Sequence, residues 1–246
     1  MLFSTKEMFN VAVILLSIFS FYLVDSSESS RKRLLLHSQE DLVQRLIKVE
    51  AELEGLKNTS KQTGSGSTYV RWGRNTCPAD NELVYTGYTA GRKYARTGSG
   101  TTNLCLPDDP KWANYVDGNG GCCRAHIYGA EIDVEEPNHI FPYAVNNQDI
   151  PCVVCKSPRS ISLMIPARKK CYPGWTIEYW GYLMAGRFNT PGGHDHICVD
   201  TKPEFNQHGG TDDNEHILYP VEAQCGSLPC PPYVQGRELP CAVCSK

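Results

Sequence analysis

The chain lacks the short signatures of familiar catalysis: no Gly-x-Ser-x-Gly elbow, no phosphate-cradling loop ending in Lys-Ser or Lys-Thr, and no His-Glu-x-x-His pair. His126 and His139 each stand without an identifiable nucleophile or orienting partner, so the expectation is a non-enzyme that needs no cofactor. An excess of one charge is missing too. The 24 Lys and Arg nearly balance the 27 Asp and Glu, a formal net charge of −3, which gives no field for nucleic acid. Long apolar runs are confined to one, from Val11 to Val24, which is short for a membrane span. It follows Lys6 and ends beside the small residues Ser26 and Ser27, so residues 1–26 read as a secretory signal cut after Ser26, leaving no membrane association. An uncut anchor is the alternative; Arg31-Lys32-Arg33 would then hold the following chain in the cytosol.

Cysteine, by contrast, is abundant and ordered. The 12 cysteines form two blocks, and each block closes on one phrase: Ile150-Pro151-Cys152-Val153-Val154-Cys155 and Leu239-Pro240-Cys241-Ala242-Val243-Cys244. Tyr85-Thr86-Gly87-Tyr88 follows Cys77 at the same distance as Tyr179-Trp180-Gly181-Tyr182 follows Cys171. Arg74 and Arg168 precede the two leading cysteines alike, Cys105 answers Cys198, and Tyr128 with Glu131 answers Tyr219 with Glu222. Residues 69–158 and 159–246 therefore read as one unit written twice. An even, repeated cysteine pattern belongs to an oxidising compartment, which favours a secreted chain over the cytosolic one an anchor would leave.

The repeats show almost no helical periodicity. Short apolar stretches alternate with Gly, Pro, Asn and Asp, and residues 82–88, 126–132, 160–165, 177–184 and 216–221 are strand candidates. The expected class is mainly β.

These residues carry a resemblance. Cys171-Tyr172-Pro173-Gly174-Trp175 with Trp180-Gly181-Tyr182, following Pro151-Cys152-Val153-Val154-Cys155-Lys156-Ser157-Pro158, resembles the C-terminal non-collagenous domain of type IV collagen. It is still more similar to short-chain, spongin-type collagen-like secreted proteins of invertebrates. The resemblance spans about Val70 to Lys246. It implies tandem disulfide-bonded β-rich subdomains that exchange strands and drive trimer assembly in extracellular matrix. It also implies pairings: Cys77 with Cys155, Cys105 with Cys152, Cys171 with Cys244, Cys198 with Cys241, and Cys225 with Cys230. Cys122 and Cys123 have no counterpart pairing, and either a bond to each other or bonds across chains would serve them. The chain departs from the family in having no Gly-X-Y tract, so it cannot wind a collagen triple helix. It also lacks evident counterparts of the family's cross-linking methionine and lysine, because Met164 and Met184 lie elsewhere and Gln235-Gly236-Arg237-Glu238 fills the expected lysine region.

A different device precedes the repeats. Within residues 34–57, Leu35, Leu42, Val49 and Leu56 occupy one heptad position and Leu46 and Leu53 the other, with Gln39 as the polar entry. Arg45 stands before one core position and Glu50 after the next, as in parallel three-stranded coiled coils. The expectation is a homotrimeric stem; a single amphipathic helix packed on its own domain is the alternative. So short a coil is marginal alone, so a trimer also needs contacts between the domains that follow. Residues 58–68 have linker composition, and Asn58-Thr59-Ser60 offers a glycosylation site.

Other polar groupings are weighed against plain structure. The Cys-x-x-Cys phrases fit disulfides better than zinc in this setting. His194-Asp195-His196, with His208, Asp212, Asp213 and His216 nearby, is the best-looking metal cluster, yet its spacing fits a cation site only loosely, a solvated polar loop is the favoured reading of His194 and His196, and no metal is expected. Tyr85, Tyr88, Tyr179, Trp180 and Tyr182 offer faces to a sugar ring, but alternation along a strand sends part of the set into the core. The sequence thus points to a secreted matrix protein, extracellular or skeletal, whose partners are its own copies and matrix components. A soluble multivalent lectin-like protein is the second reading.

Overall fold

The computed structural model describes residues 39–55, 66–118 and 123–246. The signal segment, Leu35, Leu56, the Asn58 site and Cys122 lie outside these residues. The chain divides into two units, Met1–Gly64 and Ser65–Lys246. In the first, residues 39–55 form one helix, α1, as expected from its run of good helix formers. Among the described residues no helix is long and apolar enough to cross a membrane.

The second unit is mainly β. Its first half holds β1 (Ser67–Trp72), β2 (Glu82–Gly91), β3 (Leu104–Pro107), β4 (Tyr128–Ile132), β5 (Gln148–Asp149) and β6 (Pro151–Ser157). The second holds β7 (Ser162–Pro166), β8 (Thr176–Ala185), β9 (Ile197–Asp200), β10 (His216–Pro220) and β11 (Pro240–Ser245). The strand order is β10-β4-β2-β6-β1-β9-β8-β11-β7, with β3 beside β2 and β5 beside β4. In each half the strand bearing the Cys-x-x-Cys phrase returns between the first two: β6 pairs with β1 and β2, and β11 with β7 and β8.

The likeness of the halves extends to single residues. β2 bulges against β6 between Leu83 and Tyr85, and β8 bulges between Ile177 and Tyr179 where β11 shifts register. The hydroxyl of Tyr85 donates to the carbonyl of Cys105 at 3.0 Å, and that of Tyr179 to the carbonyl of Cys198 at 2.8 Å. Gly87 pairs with Pro107 on one side and Cys152 on the other; Gly181 pairs with Asp200 and Cys241. A Cβ on Gly87 would sit 1.9 Å from the Leu106 carbonyl oxygen, and one on Gly181 would sit 1.7 Å from that of Val199. Only glycine fits such an approach.

The halves share their core. Trp72, Ile132 and Ile150 from the first pack with Met184, Val199 and Leu218 from the second. Strands also cross between them: β4 runs parallel to β10, and Trp72 of β1 bridges in parallel to Val199 of β9. One boundary differs from expectation. β1 begins at Ser67, inside the segment read as linker, because Ser67 pairs with Ser157 and gives both its N–H and its hydroxyl to the Arg159 carbonyl at 2.8 Å. Serine in a Gly-Ser stretch looks like spacer until a strand edge offers its backbone a ladder.

Candidate functional site

Five disulfides hold the β unit: Cys77–Cys155, Cys105–Cys152, Cys171–Cys244, Cys198–Cys241 and Cys225–Cys230. These are the partners that the resemblance implies. Cys105 and Cys152 lie on opposite neighbours of β2, which in a flat sheet would stand about 9.5 Å apart, yet their Cα atoms are 5.7 Å apart. Cys198 and Cys241 flank β8 in the same way at 5.7 Å. Each half therefore folds sharply around its middle strand, and the bare Gly87 or Gly181 backbone lies where the flanking strands close. The four long bridges span sequence separations of 78, 47, 73 and 43 residues. Loop-closure entropy gives each a stabilisation of about 4 kcal/mol. Cys123 is exposed.

The expected stem residues that fall in α1 are Leu42, Arg45, Leu46, Val49, Glu50 and Leu53, all exposed on the single chain. An amphipathic helix with its apolar stripe in water is incomplete by itself.

Between the two halves lies a polar lock centred on Glu178, the bulge residue of β8. Its carboxylate accepts hydrogen bonds from Tyr69 Oη at 3.1 Å, Asn81 Nδ2 at 2.8 Å, Ser157 Oγ at 3.2 Å, Arg159 Nη2 at 2.8 Å and the Ser245 hydroxyl. Burial works to raise its pKa, but the bonds from Ser245, Arg159 and Asn81 outweigh it and hold the carboxyl below its ordinary range. The same burial, with the Glu178 charge, pushes the Tyr69 hydroxyl up. Nearby, Arg71 grips Asp200 at 2.7 Å, with most of both side chains shielded, and the Val70 carbonyl, 3.0 Å from Tyr179 Oη, shares that hydroxyl's single hydrogen with the Cys198 carbonyl.

Of the histidine grouping, His194 and His216 meet ring to ring, while His196 and His208 are exposed. His216 is fully buried on β10, its ring against Gly91, with Nδ1 2.7 Å from the Arg92 carbonyl and Nε2 2.6 Å from Asn103 Oδ1. Burial, then the neighbouring His194, pushes its pKa down to about 4. His194 lies 4.3 Å away, ring to ring, and its own nitrogens meet backbone carbonyls of Asp195 and Ile217. Among the described residues no three His, Cys, Asp or Glu side chains gather as a metal site.

The aromatic set also divides. Tyr179 is buried and Tyr85 half-buried, both spent on the carbonyl bonds above, while Tyr88 is exposed on β2. Trp180 and Tyr182 are seated on core clusters with one face reaching a cleft of about 360 Å³. Pro240 also lines it, and His139, Ile140, Lys169 and Glu238 complete its wall. These four come from distant parts of the chain, and no local pattern in the sequence signals their meeting.

No protein-family model matches the chain.

Proposed function

We propose that the chain is a secreted, non-enzymatic building piece of an extracellular or skeletal matrix, a mineralised one included, which assembles as a homotrimer. Its β unit would act as a counterpart of the type IV collagen C-terminal domain, and α1 would stand as a coiled-coil stem where that family has a triple helix. The observation that carries this reading is a pair of unmatched strand edges. Within the chain, β1 of the first half meets β9 of the second. The corresponding pair by repeat is β7 with β3, yet β7 bonds as a strand to β11 and β3 to β2. Both edges show apolar side chains, Leu163 on β7 and Leu104 on β3. Repeating the internal junction between copies would set β7 of one chain on β3 of the next. Such head-to-tail contacts close as a ring, and the exposed heptads of α1 supply the count of three.

In native tissue the protein should resist salt and detergent extraction and leave the residue only with denaturant and reductant. Quantitative recovery in physiological buffer would contradict a matrix role. The second reading, a soluble multivalent lectin-like protein, is favoured by the Trp180–Tyr182 cleft; a glycan array showing tight binding by soluble trimers would move the function there.

A further inference from the structure

We infer that the cleft over Trp180 and Tyr182 is a subsite for an acidic pyranose, a uronate or sulfated sugar unit of a matrix polysaccharide. Trp180 and Tyr182 are alternate residues of β8 and so share one face of the strand. Their rings lie 6.2 Å apart at 56°, and Phe141, buried behind them, meets Tyr182 edge-on at 5.6 Å. The aromatic floor is thus fixed from beneath and open above, a shape that receives the apolar C–H face of a sugar ring.

The rim supplies polar groups of both kinds. Glu238 stands near enough that its charge, after burial, helps push the Tyr182 hydroxyl up. The Lys169 ammonium is 6.0 Å from the Trp180 ring centre, and His139 lines the same opening. Among the described residues no side-chain hydrogen bond or ion pair engages Lys169, Glu238 or His139, although two of them carry opposite charge in one cleft. A carboxylate left as a free acceptor suits sugar hydroxyls. The Lys169 ammonium, engaged only by the Trp180 ring over which it stands, suits the acidic substituent of the same unit. In the first half the corresponding positions are Thr86 and Tyr88, and Thr86 is occupied with Asp108 at 2.7 Å. The aromatic pair is particular to the second half, His139 and Ile140 of the first half close the cleft around it, and the cleft lies within one chain.

The test is calorimetric titration of the purified full-length secreted protein, at low salt, with a sulfated glucuronate–N-acetylgalactosamine disaccharide. Its unsulfated, carboxyl-reduced counterpart serves as the neutral probe. The acidic probe should bind, and Lys169→Gln should weaken it about tenfold or more, the worth of a charge-assisted contact. Glu238→Gln should weaken both probes, and Lys170→Gln should leave both unchanged. Because Lys169 and Glu238 are rim groups, melting temperatures of the variants should match wild type. No binding, equal binding of the two probes, or binding insensitive to Lys169→Gln would overturn the assignment.

Discussion

Glu178 is one of the residues that set the two repeated halves apart. Its counterpart at the equivalent bulge is Val84, half-exposed on β2, so the same backbone irregularity delivers a solvent-facing side chain in one half and a buried carboxylate in the other. Replacing it by glutamine keeps the shape but leaves Arg159 and four neutral donors around an uncharged amide. Glu178→Gln should cost about 2–3 kcal/mol in chemical denaturation, whereas Val84→Gln should stay within about 0.5 kcal/mol; equal costs would remove the lock. His216 supplies the pH dependence. Its folded pKa lies below the unfolded value, so the unfolded chain binds the extra proton between about pH 6.5 and 4. Stability is full above that window and is lost as pH falls through it, by roughly 3 kcal/mol. Loss of the Glu178 contribution follows at lower pH, since its folded pKa is depressed. Glu131 and Asp149, both raised by burial, gain protons first in the folded state and offset part of the loss. The difference between wild type and His216→Asn cancels these carboxyls, and its slope should appear above pH 4. A wild type that gains stability over this window relative to the variant would mean an imidazolium held between the Arg92 and Asn103 oxygens.

At the scale of elements, the tightest requirement is the glycine in each middle strand. Gly181→Ala drives a Cβ into the Val199 carbonyl between strands already tied by a disulfide, so little relaxation is open to it. The cost should reach about 3 kcal/mol or more, read as lost secretion or a lowered denaturation midpoint, and Gly87→Ala should do the same. Gly129, whose added Cβ would meet nothing within 4 Å, should tolerate alanine. Elements were legible where they were long or apolar. β2 and β8, ten residues each, announce themselves by aromatic and branched residues, β4 and β10 fall within the expected spans, and β7 overruns its span by one residue at Pro166. β3 and β9 are four residues long, too few for a periodicity to register. β6 and β11 hide behind their cysteines, although their near-continuous burial marks them as the central strands. The cleft was half legible: Trp180 and Tyr182 stand out in the sequence, while His139, Lys169 and Glu238 join them only through tertiary folding. His216 opens the expected 216–221 strand, but nothing local reveals that Gly91 leaves room for its ring.

For the whole molecule, the repeat sets the architecture. One disulfide-closed unit, duplicated, builds a joint core from both copies, and the differences between the copies, Glu178 for Val84 and Trp180 for Thr86, mark where each takes a separate role. Duplication also leaves β3 and β7 as edges without the partner that β1 and β9 find in each other. The exposed stripe of α1 poses the same question in a helix, since Leu42, Leu46, Val49 and Leu53 all stand exposed on one chain. The proposed assembly would answer both at once. The decisive measurement is the mass of the purified protein by light scattering in non-reducing buffer, for wild type and for Leu46→Lys, which would place a charge in the proposed seam. The account predicts three chains for wild type and a shift toward single chains for the variant; a wild type at single-chain mass, or a variant that remains three chains, would contradict it.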